Sequence, residues 1–226
     1  MALSLHMHPL ASFCHKVLIA LYEAGTPFTA LMIDHADPAT IARLMELWPV
    51  GKMPVLQDSA RNQVVPETTI IIEYLDRHYP GRRRLLPANE DARLDARLWD
   101  RFFDLYVHVP MQKIVLDRLR SATEKDPAGL AEARAMIATA YDMIERRMTD
   151  RTWAAGDDFS IADCAAAPAL FYASIVVPIP GSHPQVADYF ERLLARPSFA
   201  RVLDEARPYF HLYPFKDDMP ARFLRA

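Results

Sequence analysis

The feature that most constrains this chain is a change of pattern near residue 80. Before it, short runs of period-two alternation interleave with runs of helical period; after it, only helical periodicity is found. Such a switch predicts two structural layers of different kind, a mixed α/β domain over 1–80 and an all-helical domain over 91–226. The break between them, Tyr79 to Pro87, holds Pro80, Gly81, the run Arg82 to Arg84, and Pro87. It reads as a solvated linker, placed at 81–90, in preference to an anion site.

Within the first domain, Ala2 to His8 and Phe28 to Ile33 read as strands. Phe13 to Gly25 reads as a helix, with Val17, Leu18, Leu21 and Tyr22 on one face and Gly25 as its stop. Asp37 precedes Pro38, the pairing of N-cap and first-turn proline that starts a helix over Pro38 to Leu47. Pro54 to Leu56 and Gln63 to Val65 flank a polar turn, and Glu67 to His78 is a third helix, giving the order β-α-β-α-β-β-α. In the second domain Leu94, Leu98, Phe102, Leu105 and Val109 form one apolar stripe, and Leu130, Ala133, Ile137, Ala140, Tyr141 and Ile144 another. Both are expected to face the core. Ser160-Ile161-Ala162-Asp163 reads as a capping box that opens an almost wholly apolar, hence buried, helix over Ile161 to Ala173. Shorter helices follow around Val186 to Ala195 and Phe199 to Ala206.

With 51% hydrophobic residues, a core needs no disulfides, and a formal charge of -3 gives no reason to expect a nucleic acid partner. The two cysteines, Cys14 and Cys164, suit a reducing compartment. No apolar run approaches the roughly 20 residues of a membrane span. The N-terminus lacks the basic flank of a signal peptide. A soluble, cytoplasmic protein is expected, without a metal site.

Four motifs carry a resemblance to a known family. They are Trp48-Pro49-Val50-Gly51-Lys52-Met53-Pro54-Val55-Leu56, Pro66-Glu67-Thr68-Thr69-Ile70-Ile71-Ile72-Glu73-Tyr74-Leu75, Phe159-Ser160-Ile161-Ala162-Asp163, and Arg196-Pro197-Ser198-Phe199. In this order the chain resembles the cytosolic glutathione S-transferase superfamily. The resemblance implies a thioredoxin-like N-terminal domain followed by an all-α domain, with glutathione as co-substrate. It also implies a cis bond at Met53-Pro54, where the residues alone allow trans, so that the Met53 backbone pairs with glutathione as with an added strand. Thr68, at the start of a helix, suits the γ-glutamyl carboxylate, and Glu67 the amine. Lys52 is placed to meet the glycine carboxylate, and a solvated lysine is the alternative. The plain alternative for Glu67 and Thr68 is a helix cap. A homodimer is implied as well, with Asp100 or Asp104 then reaching glutathione across the interface.

Transfer chemistry needs the glutathione thiolate, because the thiol is the weaker nucleophile. Ser12, just before the first helix, can offer a hydroxyl beside a helix N-terminus; its alternative is an ordinary N-cap. Serine- and cysteine-type members place the catalytic side chain one position earlier, where this chain has Ala11. Backbone N–H groups of Ser12 and Phe13 can hold the thiolate instead. Cys14, acidified at a helix start, is the redox candidate and otherwise a small buried hydrophobe. His15 is expected at the surface and Cys164 in the core. Tyr106, His108, Met111, Tyr209 and Phe210 are candidate walls of a pocket for a hydrophobic electrophile between the domains, and Tyr213 can help close it. Conjugation of glutathione to such an electrophile leads. A glutathione-dependent disulfide or peroxide reductase and a non-catalytic adaptor on the same fold are its rivals.

Overall fold

The computed structural model describes residues 2–224. Four strands, β1 (Leu3–Met7), β2 (Thr29–Met32), β3 (Val55–Asp58) and β4 (Gln63–Pro66), form one sheet in the order β2-β1-β3-β4. β1 runs parallel to β2 and antiparallel to β3, which pairs antiparallel with β4. The parallel pair is joined by α1 (Ser12–Ala24), the crossover such strands require. α1 ends where Gly25 takes φ 67 and caps the carbonyls of Leu21 and Tyr22, the left-handed stop that glycine adopts without steric cost. α2 (Pro38–Leu47) begins with Asp37 accepting from the Ala39 N–H, and α3 (Thr68–His78) follows β4. The β-α-β-α-β-β-α order is as the pattern predicts.

Beyond the linker the described residues form helices and turns, with one isolated bridge between Trp153 and Gly156. The elements are α4 (Glu90–Phe102), α5 (Val109–Arg118), α6 (Pro127–Arg147), α7 (Ile161–Val176), α8 (Pro184–Leu194), α9 (Pro197–Ala206) and a short α10 (Ala221–Leu224). Between α4 and α5 the chain does not break: Phe103–His108 winds as a π-helix, so one long rod carries both. Pro110 lies just past it, and its missing N–H and ring oppose regular α bonding to the turn before. α7 is buried along its length apart from partial exposure near Ser174, and its capping box is formed, with Ser160 accepting from Ala162 N–H and Asp163 from Ser160 N–H. The linker is sewn down through Arg82 N–H to the Ala24 carbonyl and Leu85 N–H to Asp76. A side chain at Gly81 would strike the Ala24 carbonyl.

The apolar stripe expected on the first long helix faces outward. Leu94 and Leu98 are 67% and 62% exposed, and Leu105 and Val109 are exposed too; only Phe102 is buried. The inward face is instead Ala96, Trp99, Phe103, Val107, Met111 and Ile114. Both sets recur at helical spacing, and the set with the larger rings takes the core. The second stripe, on α6, is buried except for the half-buried Leu130.

α1 is shared between the halves, packing on α3 on one side and on α7 and α9 on the other. At its C-terminal end, Glu23 accepts from Arg196 Nε and Nη2 at 2.8 and 2.7 Å and from the Ser198 hydroxyl at 2.6 Å. The Arg196-Pro197-Ser198-Phe199 motif therefore clamps the helical domain to the mixed one.

Candidate functional site

The strand register gathers three of the singled-out segments at one end of the sheet. His6, near the end of β1, pairs with Val55 at the start of β3, and Val55 pairs with Pro66 at the end of β4. The loop from β1 into α1, the Met53-Pro54 bond, and the Glu67-Thr68 entry to α3 thus lie side by side. The Met53-Pro54 peptide is cis. Pro54 is buried, Met53 half-buried and Lys52 exposed.

Glu67 occupies the N-cap of α3 with φ 67 and ψ 120, a backbone conformation that side chains other than glycine rarely adopt. Its side chain makes no capping bond and is exposed, so the simple cap reading fails. Thr68, the first helical residue, is 8% exposed. Neighbouring Thr69 turns inward and donates to Asp100 at 2.7 Å while accepting from Lys16 at 3.0 Å.

At the start of α1 the N-cap is Ala11, not Ser12. Leu10 N–H donates to His8 Nδ1 and Ala11 N–H to the His8 carbonyl, which folds the loop into a turn. The Ala11 carbonyl accepts from Cys14 and His15 N–H. Ser12 and Phe13 are the first two helical residues, whose N–H groups have no partner inside the helix. The Ser12 hydroxyl lies 2.5 Å from His108 Nε2, contributed by the π-helical segment of the other domain. The His108 ring stacks on Phe13, centroids 3.8 Å apart and planes within 1°.

Cys14 takes the second of its two readings, the small buried hydrophobe, whereas His15 departs from expectation. Cys14 is wholly buried, and desolvation pushes its thiol up to about 12, against the opposing backbone hydrogen bond at His8. Burial and the raised thiol both oppose an acidified redox cysteine at this position. His15 is not at the surface: it too is wholly buried and bonds the Pro9 carbonyl at 2.6 Å. Both sit on the side of α1 that α7 covers, and the Tyr172 hydroxyl reaches across to the Leu10 carbonyl.

Asp100 and Asp104 do not point out toward a second subunit. They close around the wholly buried Lys16, whose ammonium stands 2.6 Å from Asp100 and 2.8 Å from Asp104. A buried ammonium needs such counter-charges, which commits both carboxylates. Burial raises the Asp104 carboxyl above its ordinary range, despite Lys16 beside it. Burial, reinforced by Lys16 and His15, drives His108 far down, which favours the neutral imidazole. Asp100, Asp104 and His108 recur every four residues, as do Ser12 and Lys16. Two facing polar stripes at helical spacing were the signal, visible in the sequence, that these helices meet across the domain boundary.

Of the proposed electrophile walls, Met111, Phe210 and Tyr213 are core residues, and His108 is closed in by Ser12 and Phe13. Phe210 stacks near Phe171, and Tyr213 packs on Tyr172. Long aromatic and thioether side chains at a chain end find more apolar area inside than at a rim. Tyr106 is exposed on the π-helical segment. Tyr209 lies at the functional end of the sheet, its ring 5.1 Å from His8 and its hydroxyl 3.6 Å from the Met32 sulfur. Among the described residues no group of three or more His, Cys, Asp or Glu is placed to hold a metal ion, and no helix is long and apolar enough to cross a membrane.

A four-stranded mixed sheet with a cis-proline at its rim, joined to an all-helical domain, defines a thioredoxin-like protein with a helical extension. Family models for the glutathione S-transferase N-terminal and C-terminal domains match residues 11–78 and 102–197. A glutathione S-transferase of Methylobacterium radiotolerans, solved in complex with glutathione sulfonate, is 30% identical, with a TM-score of 0.76 over 88% of this chain and 93% of that one. FtsZ-localized protein A of Caulobacter vibrioides is 29% identical over 91% of this chain and 92% of its own length. A glutathione S-transferase-like protein of a Fusarium species is 30% identical over 63% of this chain, an alignment spanning 62% of that relative. The chain belongs to the cytosolic glutathione S-transferase superfamily.

Proposed function

We propose that this protein binds glutathione at the shared end of β1, β3 and β4 and transfers it, as the thiolate, to a hydrophobic electrophile. The observation that carries the reading is the backbone of Glu67. Holding a non-glycine residue at φ 67 costs on the order of 1–3 kcal/mol, and the conformation turns the Glu67 side chain away from capping its own helix. In this reading Glu67 meets the γ-glutamyl amine, the Thr68 hydroxyl and N–H meet its carboxylate, Met53 pairs with the peptide backbone, and Lys52 neutralises the glycine carboxylate. The thiol then lies toward the start of α1, where the unpaired N–H groups of Ser12 and Phe13 and the Ser12 hydroxyl favour its anion. The exposed Tyr106 and the half-buried Tyr209 remain as aromatic surface for the electrophile. The protein acts in the cytoplasm, where its two free thiols stay reduced, and works as a homodimer.

One observation favours a second reading, a glutathione- or ligand-binding adaptor without transfer chemistry. The N-cap of α1 is Ala11, which has no hydroxyl, and the Ser12 hydroxyl is already engaged by His108. The relative named FtsZ-localized protein A bears a name that records a location, not a reaction.

Calorimetric titration with glutathione, with the bound thiol followed by its thiolate ultraviolet absorbance, tests both. Thr68→Val removes a charge-assisted hydrogen bond and should weaken binding roughly tenfold or more. The bound thiol should ionise below its free value near 8.5. No binding by the wild type sinks the transferase and leaves only an adaptor for some other ligand. Binding with unshifted ionisation and no turnover of an aryl halide leaves the adaptor.

A further inference from the structure

His108 is an odd group to bury. It belongs to the helical domain, has no exposed surface, and is held by the first two helical residues of α1 in the mixed domain. Phe13 stacks flat on the imidazole and fixes its plane; Nε2 then aims at Ser12 Oγ. The other ring nitrogen, Nδ1, is buried without a hydrogen-bond partner among the described residues.

A neutral imidazole carries one proton, on Nε2 or on Nδ1. A proton on Nδ1 would leave a buried N–H donor unsatisfied, which folded proteins almost never tolerate. A proton on Nε2 leaves Nδ1 only a bare lone pair, the lesser loss. Ser12 Oγ is then the acceptor and cannot give its own proton to His108. Ser12, unlike His108, retains a little exposed surface, so its hydroxyl proton can turn toward the end of the sheet.

We propose that His108 is a positioning residue: its Nε2–H donates to Ser12 Oγ and thereby directs the Ser12 hydroxyl proton onto the glutathione sulfur. This rests on the reading that glutathione's thiol meets the start of α1. The engagement of Ser12 by His108, which alone suggests an occupied hydroxyl, becomes the device that frees it. An N–H···O–H···S⁻ chain is also stronger than an isolated O–H···S⁻ bond, because each link polarises the next. The titratable groups around the pair are Lys16 and His15 on α1 and Asp104 one turn back on the His108 helix. Lys16 and His15 work against a charge on His108.

Two measurements test this. Long-range nitrogen–proton NMR on the wild-type protein should show His108 Nε2 protonated and Nδ1 bare, its signals assigned from their absence in His108→Gln. Protonation at Nδ1 overturns the proposal whatever glutathione does. The thiolate absorbance of bound glutathione against pH is then compared in wild type, Ser12→Ala, His108→Met, His108→Gln and Ser12→Ala/His108→Met. Loss of one such bond corresponds to about a fivefold smaller thiolate-to-thiol ratio. Ser12→Ala and His108→Met should each show a drop of that order, the double variant should fall no further than Ser12→Ala, and His108→Gln, whose amide can still donate, should recover most of the signal. If His108→Met raises the thiolate fraction while Ser12→Ala lowers it, His108 was consuming the Ser12 proton and the proposal fails with the binding reading intact. If Ser12→Ala leaves the ratio unchanged, Ser12 does not meet the thiol, and proposal and thiol placement fail together. Should His108→Met not fold, the wild-type NMR and His108→Gln decide.

Discussion

His15 is enclosed by the loop before α1 on one side and by Tyr172 on the other, and it donates from one ring nitrogen to the Pro9 carbonyl. Burial takes its pKa down to about 4, against the pull of that hydrogen bond and with a little help from His8. The unfolded chain takes up the same proton near 6.5. Between those values the unfolded state binds more protons than the native one, so stability is full above about pH 6.5 and is lost as pH falls toward 4. By pH 5 the loss from His15 alone is about 2 kcal/mol. Urea unfolding of the wild type should show the midpoint dropping between pH 7 and 5, and His15→Gln should flatten that slope. An equal slope in the variant would place the acid sensitivity elsewhere. At this scale the sequence was unevenly legible. Glu67, Thr68, Met53 and Pro54 are where local turn and helix-start chemistry puts them. His15 was misplaced because its burial is decided by α7, more than a hundred residues away, and nothing in its own neighbourhood encodes it.

α7 shows an element whose start is specified twice over. Ser160 supplies the cap, but Asp163 does more than complete the box. Its carboxylate accepts from Ser160 N–H at 2.8 Å, Ser160 Oγ at 3.0 Å, Ala154 N–H at 2.8 Å and the Tyr189 hydroxyl at 2.6 Å, all buried. The helix start, the loop before it and α8 therefore converge on one side chain. Ser160→Ala removes one cap and should cost about 1 kcal/mol. Asp163→Ala strands several buried donors and should cost more than about 3 kcal/mol, read as the difference in urea midpoints at constant slope. Comparable losses in the two variants would mean that Asp163 is only a cap. The capping box and the apolar run after it were legible because both are local. Which face of α4 turns inward was not. Leu94, Leu98, Leu105 and Val109 are as apolar as the set that won, and the choice depends on the rings of Trp99 and Phe103 finding α7. The polar stripe Asp100-Asp104-His108 had the correct spacing, but its meaning depended on Lys16 and Ser12 standing opposite.

For the whole molecule, that outward stripe is the feature left unexplained by the single chain. Leu94 to Val109 spans about 22 Å at a rise of 1.5 Å per residue, long enough to seat another protein surface. Single exposed leucines need no explanation, whereas four large apolar residues exposed along one rod mark a contact. The mixed domain shows exposed apolar residues of its own, Val64 on β4 and Ile70 on α3. A two-fold dimer that sets the mixed domain of each copy against the helical domain of the other would cover both sets at once, and an isologous contact repeats every pairing twice. Leu98→Arg, at a well exposed point of the stripe, then puts two charges into such an interface. Sedimentation velocity should find the wild type dimeric at micromolar concentration and Leu98→Arg monomeric, with the folded signal by circular dichroism unchanged because Leu98 touches little within its own chain. Glutathione affinity should change less than threefold, since Lys16 already holds Asp100 and Asp104, the two carboxylates that would otherwise reach across the interface. A wild type that sediments as a monomer would remove the dimer and leave the stripe to a different partner. A dimer whose Leu98→Arg variant loses glutathione binding as well would show that the second subunit completes the site.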